Sequence, residues 1–424
     1  MDKFHKWKLV LSFLPYYGYL MIFCIFAFLE TCASFVCGWN RVWRQMALKS
    51  VEVVEIRQIV WRNKSKPSDF ARHFDFLTWH EKFYPLETLY RPNWVAYAMT
   101  DQWVYFVKTA NGISHYQARQ APIMIFTMFD AAEKVAVIST SQFEQLAVNL
   151  PEPACKLAYI SNCPRAGTTL TIRMLQVSNR VVALSEPPIF TYLSILSAQS
   201  KIAKEKLHNF IKASFHHMCL SMSGIDLCIV KTQSNGGLAV PAIFEAMPTV
   251  SHIFLWRRNV ESLVKSIEKM LEVSQIASTT ALFASLNQIF LFKVALGFLG
   301  FEPSIYKFLP PNPDSLDVAF LYNALPLQRF WEQTRRKIPI TDVAYEDILA
   351  SPHETLERMF RVMTFAPNIS EMNEAMAALS QDSQAGTILS QRNVSTIKSL
   401  SITLERKKRF NMLCANLQIP SCFE

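Results

Sequence analysis

Charge is scarce in this sequence. Asp, Glu, Lys and Arg make up only 18% of its 424 residues, against 50% hydrophobic residues. Disordered chains have the opposite balance, so the composition implies a folded body with a large core. No Lys/Arg block interleaved with aromatics occurs, which sets nucleic acid aside as a partner despite a formal net charge of +9. A membrane surface or an anionic nucleotide remains as the partner of that charge. The nine cysteines follow no zinc spacing, and no metal is implied. Internal repeats and low-complexity tracts are absent as well.

The first positive signal is at the N-terminus. Leu9 to Leu29 contains no charged residue, and a helix of that length would be about 30 Å long, one hydrocarbon core. Lys3, Lys6 and Lys8 precede it; Trp39, Arg41, Trp43 and Arg44 follow like an interfacial belt. Residues 1–48 therefore read as a cytoplasmic tail and a single transmembrane anchor. A cleaved signal peptide competes, but its apolar region is usually only about 7–15 residues long; a buried core helix is the other alternative. Asn-x-Ser sequons at Asn63, Asn368 and Asn393 point to a lumenal body. In a lumenal setting Cys414 and Cys422 would close a small loop; otherwise they read as buried free thiols.

Lys49 to Arg72 is polar and reads as a stem. Residues 73–150 suggest a small accessory layer, with strands on either side of Thr100-Asp101-Gln102 and another at Val135–Ile138. From Pro151 onward apolar runs alternate with helical spacing. The runs are Lys156–Ile160, Val181–Leu184, Leu227–Val230, His252–Trp256 and Ile340–Tyr345. Helical segments follow at Thr168–Ser178, Val240–Met247, Val260–Leu271 and Pro352–Phe365. This alternation predicts a parallel sheet covered on both faces over residues 151–424. Thr279 to Phe301 is apolar enough for a second span, but a span there would separate Arg258 from Tyr345. It reads instead as an inserted helical hairpin, buried or on the membrane surface, or as the wall of an acceptor channel.

Ser161-Asn-Cys-Pro-Arg-Ala-Gly-Thr-Thr-Leu170 lies between a strand and a helix, where free N–H groups and the positive helix end attract a phosphate. Gly167 permits close backbone approach, Thr168 and Thr169 add hydroxyls, and Arg165 adds a planar cation. The loop lacks the first glycine and the lysine of a nucleoside-triphosphatase loop, which counts against a kinase.

Pro164-Arg-Ala-Gly-Thr-Thr-Leu170 resembles the loop by which sulfotransferases hold the 5′-phosphosulfate of 3′-phosphoadenosine-5′-phosphosulfate (PAPS). The second family signature is a strand ending in Arg with Ser eight positions on, both gripping the 3′-phosphate. Arg258 and Ser266 have that spacing, although Asn259-Val260 stands where the family usually has Asp-Pro after the arginine. Val343-Ala-Tyr-Glu-Asp-Ile-Leu-Ala-Ser-Pro352 is similar to a third element. The layout looks most like that of membrane-bound members, the tyrosylprotein sulfotransferases among them. The resemblance implies an α/β fold with a P-loop-type parallel sheet, helices on both faces, behind the N-terminal transmembrane helix and small accessory region. It implies PAPS as co-substrate, held by Arg165, Ala166, Gly167, Thr168, Thr169, Arg258 and Ser266. It further implies a hydroxyl acceptor on a glycan, a protein tyrosine or a lipid, and a Golgi membrane with a lumenal catalytic domain.

Sulfuryl transfer needs an anchored donor, a base, and positive charge near the bridging oxygen. Glu186 stands after the run Val181–Leu184, where membrane-bound members of the family place a glutamate base comparably. Its other reading is a cap for the helix that follows. Lys231 ends a strand at the edge where open α/β sheets bind ligands, and would stabilise the leaving phosphate or merely snorkel. Arg165 completes the catalytic set. His216 and His217 lie on an amphipathic helix and read as solvated or core residues. The competing function is a membrane-tethered nucleotide-binding protein with a degenerate site.

Overall fold

The computed structural model describes residues 14–48, 52–64, 69–199, 202–220, 222–273, 305, 307–310, 313–380 and 398–422. The apolar segment 279–301 and the sequon at Asn393 lie outside the described residues.

Among the described residues, ten strands form two five-stranded sheets. In chain order they are β1 (Val53–Arg62), β2 (Phe76–Pro85), β3 (Trp94–Met99), β4 (Trp103–Lys108), β5 (Lys134–Ser139), β6 (Lys156–Asn162), β7 (Val181–Ser185), β8 (Leu227–Lys231), β9 (Ser251–Trp256) and β10 (Ile340–Ala344). The first sheet is antiparallel, in the order β2-β1-β5-β4-β3; the second is parallel, β10-β9-β6-β8-β7. The fold is α/β, as the alternating runs of the second half predict.

The parallel strands are apolar on both faces because both faces are covered. Ala158, Ile160, Ala183 and Ile229 point into a core with the helices Thr168–Leu175, Pro352–Val362 and Ile369–Ala377. Leu157, Tyr159, Val182, Leu184, Cys228 and Val230 point the other way, into a core shared with the antiparallel sheet. The helices Pro188–Ala198 and Lys204–Cys219 lie in that second core, between the sheets. β6 is central. The chain leaves it to form β7 and β8 on one side, and later returns to its other side as β9. The loop after β6 thus stands at the topological switch point, where open sheets of this kind bind ligands.

The expected stem is not a separate element. Val53–Arg62 is β1, paired with both β2 and β5 inside the antiparallel sheet. Its charges are neutralised by partners: Glu55 accepts from Arg57 at 2.9 Å and lies 2.9 Å from His80 Nδ1. Arg57 also pairs with Glu30.

Glu30 belongs to the helix Leu14–Cys37, the one helix among the described residues long and apolar enough to cross a membrane. The apolar run continues past Leu29 because Glu30 is buried against Arg57 and accepts from the His80 N–H at 2.7 Å. One side of this helix rests on β1 and β2. Tyr19 donates to the Phe74 carbonyl at 2.8 Å and packs edge-on to Trp61; Phe26 meets Trp79. The other side exposes Leu14, Met21, Ile25, Phe28, Phe35 and Val36. The aromatic flank folds inward too: Trp39 lies over the His80 ring at 4.1 Å, and Met46 is fully buried.

Candidate functional site

The loop Pro164–Thr169, the candidate phosphate loop, is built by strain and close packing. Arg165 has φ 60° and Gly167 φ 72°. Five non-glycine residues among those described have positive φ. Lys337, Thr364 and Gln418 follow helix ends, where one left-handed residue closes the last turn. Arg165 and Glu186, at φ 61°, sit instead at the carboxyl edge of the parallel sheet. A non-glycine residue held left-handed costs about 1–3 kcal/mol, and such residues cluster at functional sites. At Gly167 a Cβ would stand 2.2 Å from Tyr345 Cδ2, so no side chain fits there.

Gly167 caps the helix Thr168–Leu175, and Thr168 and Thr169 are buried in its first turn. Ala166 is fully buried, which packs the loop onto the core. The N-terminal turn of this helix is the anion-attracting end. Arg165 Nε lies 3.2 Å from Ser266 Oγ, so the loop meets the helix Val260–Val273 that follows β9.

Glu186 and Lys231 follow β7 and end β8, adjacent parallel strands in which Ser185 is opposite Lys231. Their side chains form an ion pair, and the Glu186 N–H donates to the Lys231 carbonyl at 2.6 Å. Lys231 is 3% exposed. The pair is a buried cation and its carboxylate, held at the same edge as the loop. Glu186 makes no cap for the following helix, which starts at Pro188 with Pro187 in the capping position.

Arg258 does not reach Ser266 in this arrangement. Its guanidinium donates to both Asp347 oxygens, at 2.6 and 2.9 Å. That bond holds the Asp347 carboxyl below its usual range. Glu346 accepts the N–H groups of Arg258 and Asn259 at 3.0 and 3.2 Å, in front of the helix Val260–Val273. Arg257 stacks on the Tyr345 ring at 4.1 Å. These contacts follow from the register, which puts Ala344 of β10 opposite Trp256 of β9. Tyr345, Glu346 and Asp347 were visible as a motif, but their contact with Arg258 depends on two strands far apart in sequence lying side by side.

Arg329 was not anticipated. It is buried on the helix Ser315–Arg335, and burial lowers its pKa to about 10, with Glu332 and then Cys163 of the loop opposing the fall. At neutral pH it is still a cation. His216 and His217 are core residues. His217 Nε2 bonds the Leu89 carbonyl at 2.9 Å, its ring meets Phe106, and burial pushes its pKa down to about 4.

No family model matches this sequence, and no curated protein does. The chain is similar in structure to the sulfotransferase domain from the curacin biosynthetic pathway, at 13% identity over 63% of this chain and 99% of that one, with a TM-score of 0.35. It is also similar to sulfotransferase STF9 from Mycobacterium avium, at 10% identity over 67% and 83%, TM-score 0.35. Sulfotransferase STF1 from Mycobacterium tuberculosis is a third, at 16% identity over 64% and 81%, TM-score 0.33.

Proposed function

We propose that this chain is a sulfotransferase that moves a sulfuryl group from PAPS to the hydroxyl of a glycan, a protein tyrosine or a lipid. One observation carries the reading. The left-handed phosphate loop, the Arg165–Ser266 contact and the Glu186–Lys231 pair meet at one edge of the sheet, at its switch point. The loop N–H groups, Arg165 and the hydroxyls of Thr168 and Thr169 suit the phosphosulfate, and Ser266 and Arg258 suit the 3′-phosphate.

The roles follow from the chemistry. Glu186 takes the proton of the acceptor hydroxyl as that oxygen bonds to sulfur. The bond from sulfur to the 5′-phosphate oxygen breaks, leaving adenosine 3′,5′-bisphosphate and a sulfate ester. Lys231 and Arg165 compensate the charge that grows on the leaving phosphate. The Glu186–Lys231 pair also favours a second reading, a nucleotide-binding protein without turnover, because the base is already engaged.

Labelled donor with mixed glycan, peptide and lipid acceptors separates the two. Turnover is expected, and Glu186→Gln should reduce it by about 10²–10⁴-fold with donor affinity nearly unchanged. Arg165→Ala should lose affinity as well as rate. Donor binding with neither transfer nor donor hydrolysis would establish the binding protein. The same proposal places the chain in a Golgi membrane, anchored through Leu14–Cys37 with its catalytic domain lumenal. Release by alkaline extraction would count against the anchor.

A further inference from the structure

Cys414 and Cys422 belong to a further apolar cluster, formed by the helices Val260–Val273, Ser315–Arg335 and Leu404–Asn416, and their sulfurs are 3.3 Å apart. We propose that they are a reversible redox site, closed to a disulfide by a low-molecular-weight disulfide of the glutathione class, which seats the C-terminal segment behind the phosphate loop. This inference does not rest on the sulfotransferase reading.

The geometry has a local cause. The helix Leu404–Asn416 ends at Cys414's turn, and Gln418, at φ 56°, reverses the chain. The Ile419 N–H then donates to the Cys414 carbonyl at 3.0 Å, and Arg335 Nη1 donates to the Gln418 carbonyl at 3.2 Å. The reversal brings the two sulfurs to within about 1.3 Å of bonding distance, S–S being about 2.05 Å, a gap that side-chain rotation closes. The sulfurs differ in access. Cys414 is fully buried, and Cys422 is half-buried. They also differ in proton affinity: the Cys422 thiol pushes Cys414 down, while the Cys414 sulfur and then burial push Cys422 up.

The segment they close is part of the wall behind the loop. Phe410 stacks on Phe320 at 4.1 Å, and Arg406 grips Asp314 at 2.6 and 3.0 Å. Phe410, Cys414, Leu417 and Ile419 share one core with Cys163 and Ala166 of the loop, and Cys422 packs against it.

The steps balance. Access rather than proton affinity sets the order: Cys422, the sulfur that a dissolved disulfide can reach, loses its proton to water and attacks one sulfur of glutathione disulfide, so one glutathione leaves as its thiolate. Cys414, deprotonated, then attacks the Cys422 sulfur of the mixed disulfide, and the second glutathione leaves. Two electrons pass from the protein thiols to the glutathione, and each departing thiolate takes up a proton. An oxidising compartment closes the site; a reducing one opens it.

Full-length protein in detergent is incubated in glutathione buffers of graded potential, trapped by alkylation, digested and weighed. Closure between Cys414 and Cys422 is expected in oxidising buffer, reversed by dithiothreitol. Cys414→Ser should instead accumulate a glutathione adduct on Cys422. Cys422→Ser, a change at the half-buried position, should leave Cys414 unmodified and alkylated only after denaturation. Complete alkylation of both sulfurs after oxidising buffer would overturn the proposal. So would a glutathione adduct on Cys414 in the Cys422→Ser chain.

Discussion

Arg258 is paired with a carboxylate where the donor reading calls for a phosphate. Its side chain is about half exposed, and Asp347 takes both of its terminal nitrogens, Nη1 and Nη2. A ligand phosphate must therefore displace Asp347 or share the arginine with it, so the net gain is smaller than for a free guanidinium. Arg258→Ala is expected to weaken adenosine 3′,5′-bisphosphate by about tenfold and to leave adenosine 5′-monophosphate nearly unaffected. Asp347→Asn should tighten the bisphosphate a few-fold by releasing Arg258. Calorimetry on both variants with both ligands checks this. Equal losses for the two ligands in Arg258→Ala would make that residue structural, and a weaker bisphosphate complex in Asp347→Asn would make Asp347 a positioning residue rather than a competitor.

At the scale of elements, the loop Pro164–Thr169 and the Tyr345 segment pack as one unit. Gly167 is fixed by its own φ of 72° and by the Tyr345 ring that occupies the space of a Cβ. Gly167→Ala is expected to lower stability by about 2–4 kcal/mol, from left-handed strain plus overpacking. Tyr345→Ala in the same chain should return the packing part and leave the strain part, a coupling that denaturant midpoints of the four chains would measure. Additive losses would mean that the loop and Tyr345 are independent. The elements of the parallel sheet were legible in the sequence because strands buried on both faces are apolar throughout and stand out between helices of 3.6 periodicity. β1 was not legible. Glu55 and Arg57 make it look like solvent-facing stem, and their burial is explained only by His80 and Glu30, which are remote in sequence. The end of the N-terminal apolar helix was misplaced for the same reason. Glu30 reads as a boundary until Arg57 and the His80 N–H are seen to satisfy it. Arg165, Gly167 and Ser266 could be singled out in the sequence through the family resemblance, because a helix start and one strand–helix unit are local; the structure adds that Arg165 meets Ser266. The contact of Asp347 with Arg258 was not legible, because it arises only through the parallel pairing of β10 with β9.

Taken whole, the molecule buries titratable groups in both layers, and these set its response to acid. His73 and His217 line the antiparallel side, and His252 sits inside the parallel sheet between Tyr159 and Phe244. Burial pushes each down to about 4; at His73 the charge of Arg72 adds to it. A histidine whose folded pKa lies below its unfolded value of about 6.5 is neutral in the fold and takes up protons when unfolded. Its stabilising contribution is full above about pH 6.5 and is lost as pH falls toward 4, amounting to about 2 kcal/mol for each at pH 5. Asp75 acts in the opposite direction. Burial raises it to about 6 against the pull of Lys64, of the Tyr97 hydroxyl at 2.6 Å and of the Arg72 N–H. Being protonated more readily in the fold, it returns about 1 kcal/mol over the same interval. Three losses outweigh one gain. The chain in detergent is expected to need several kcal/mol less denaturation free energy at pH 5 than at pH 7, as read from urea midpoints at a series of pH values. His217→Gln should flatten that slope by about one histidine's share while lowering stability at pH 7. A stability that is level, or that rises, from pH 7 to pH 5 would show that these histidines reach water in the folded chain.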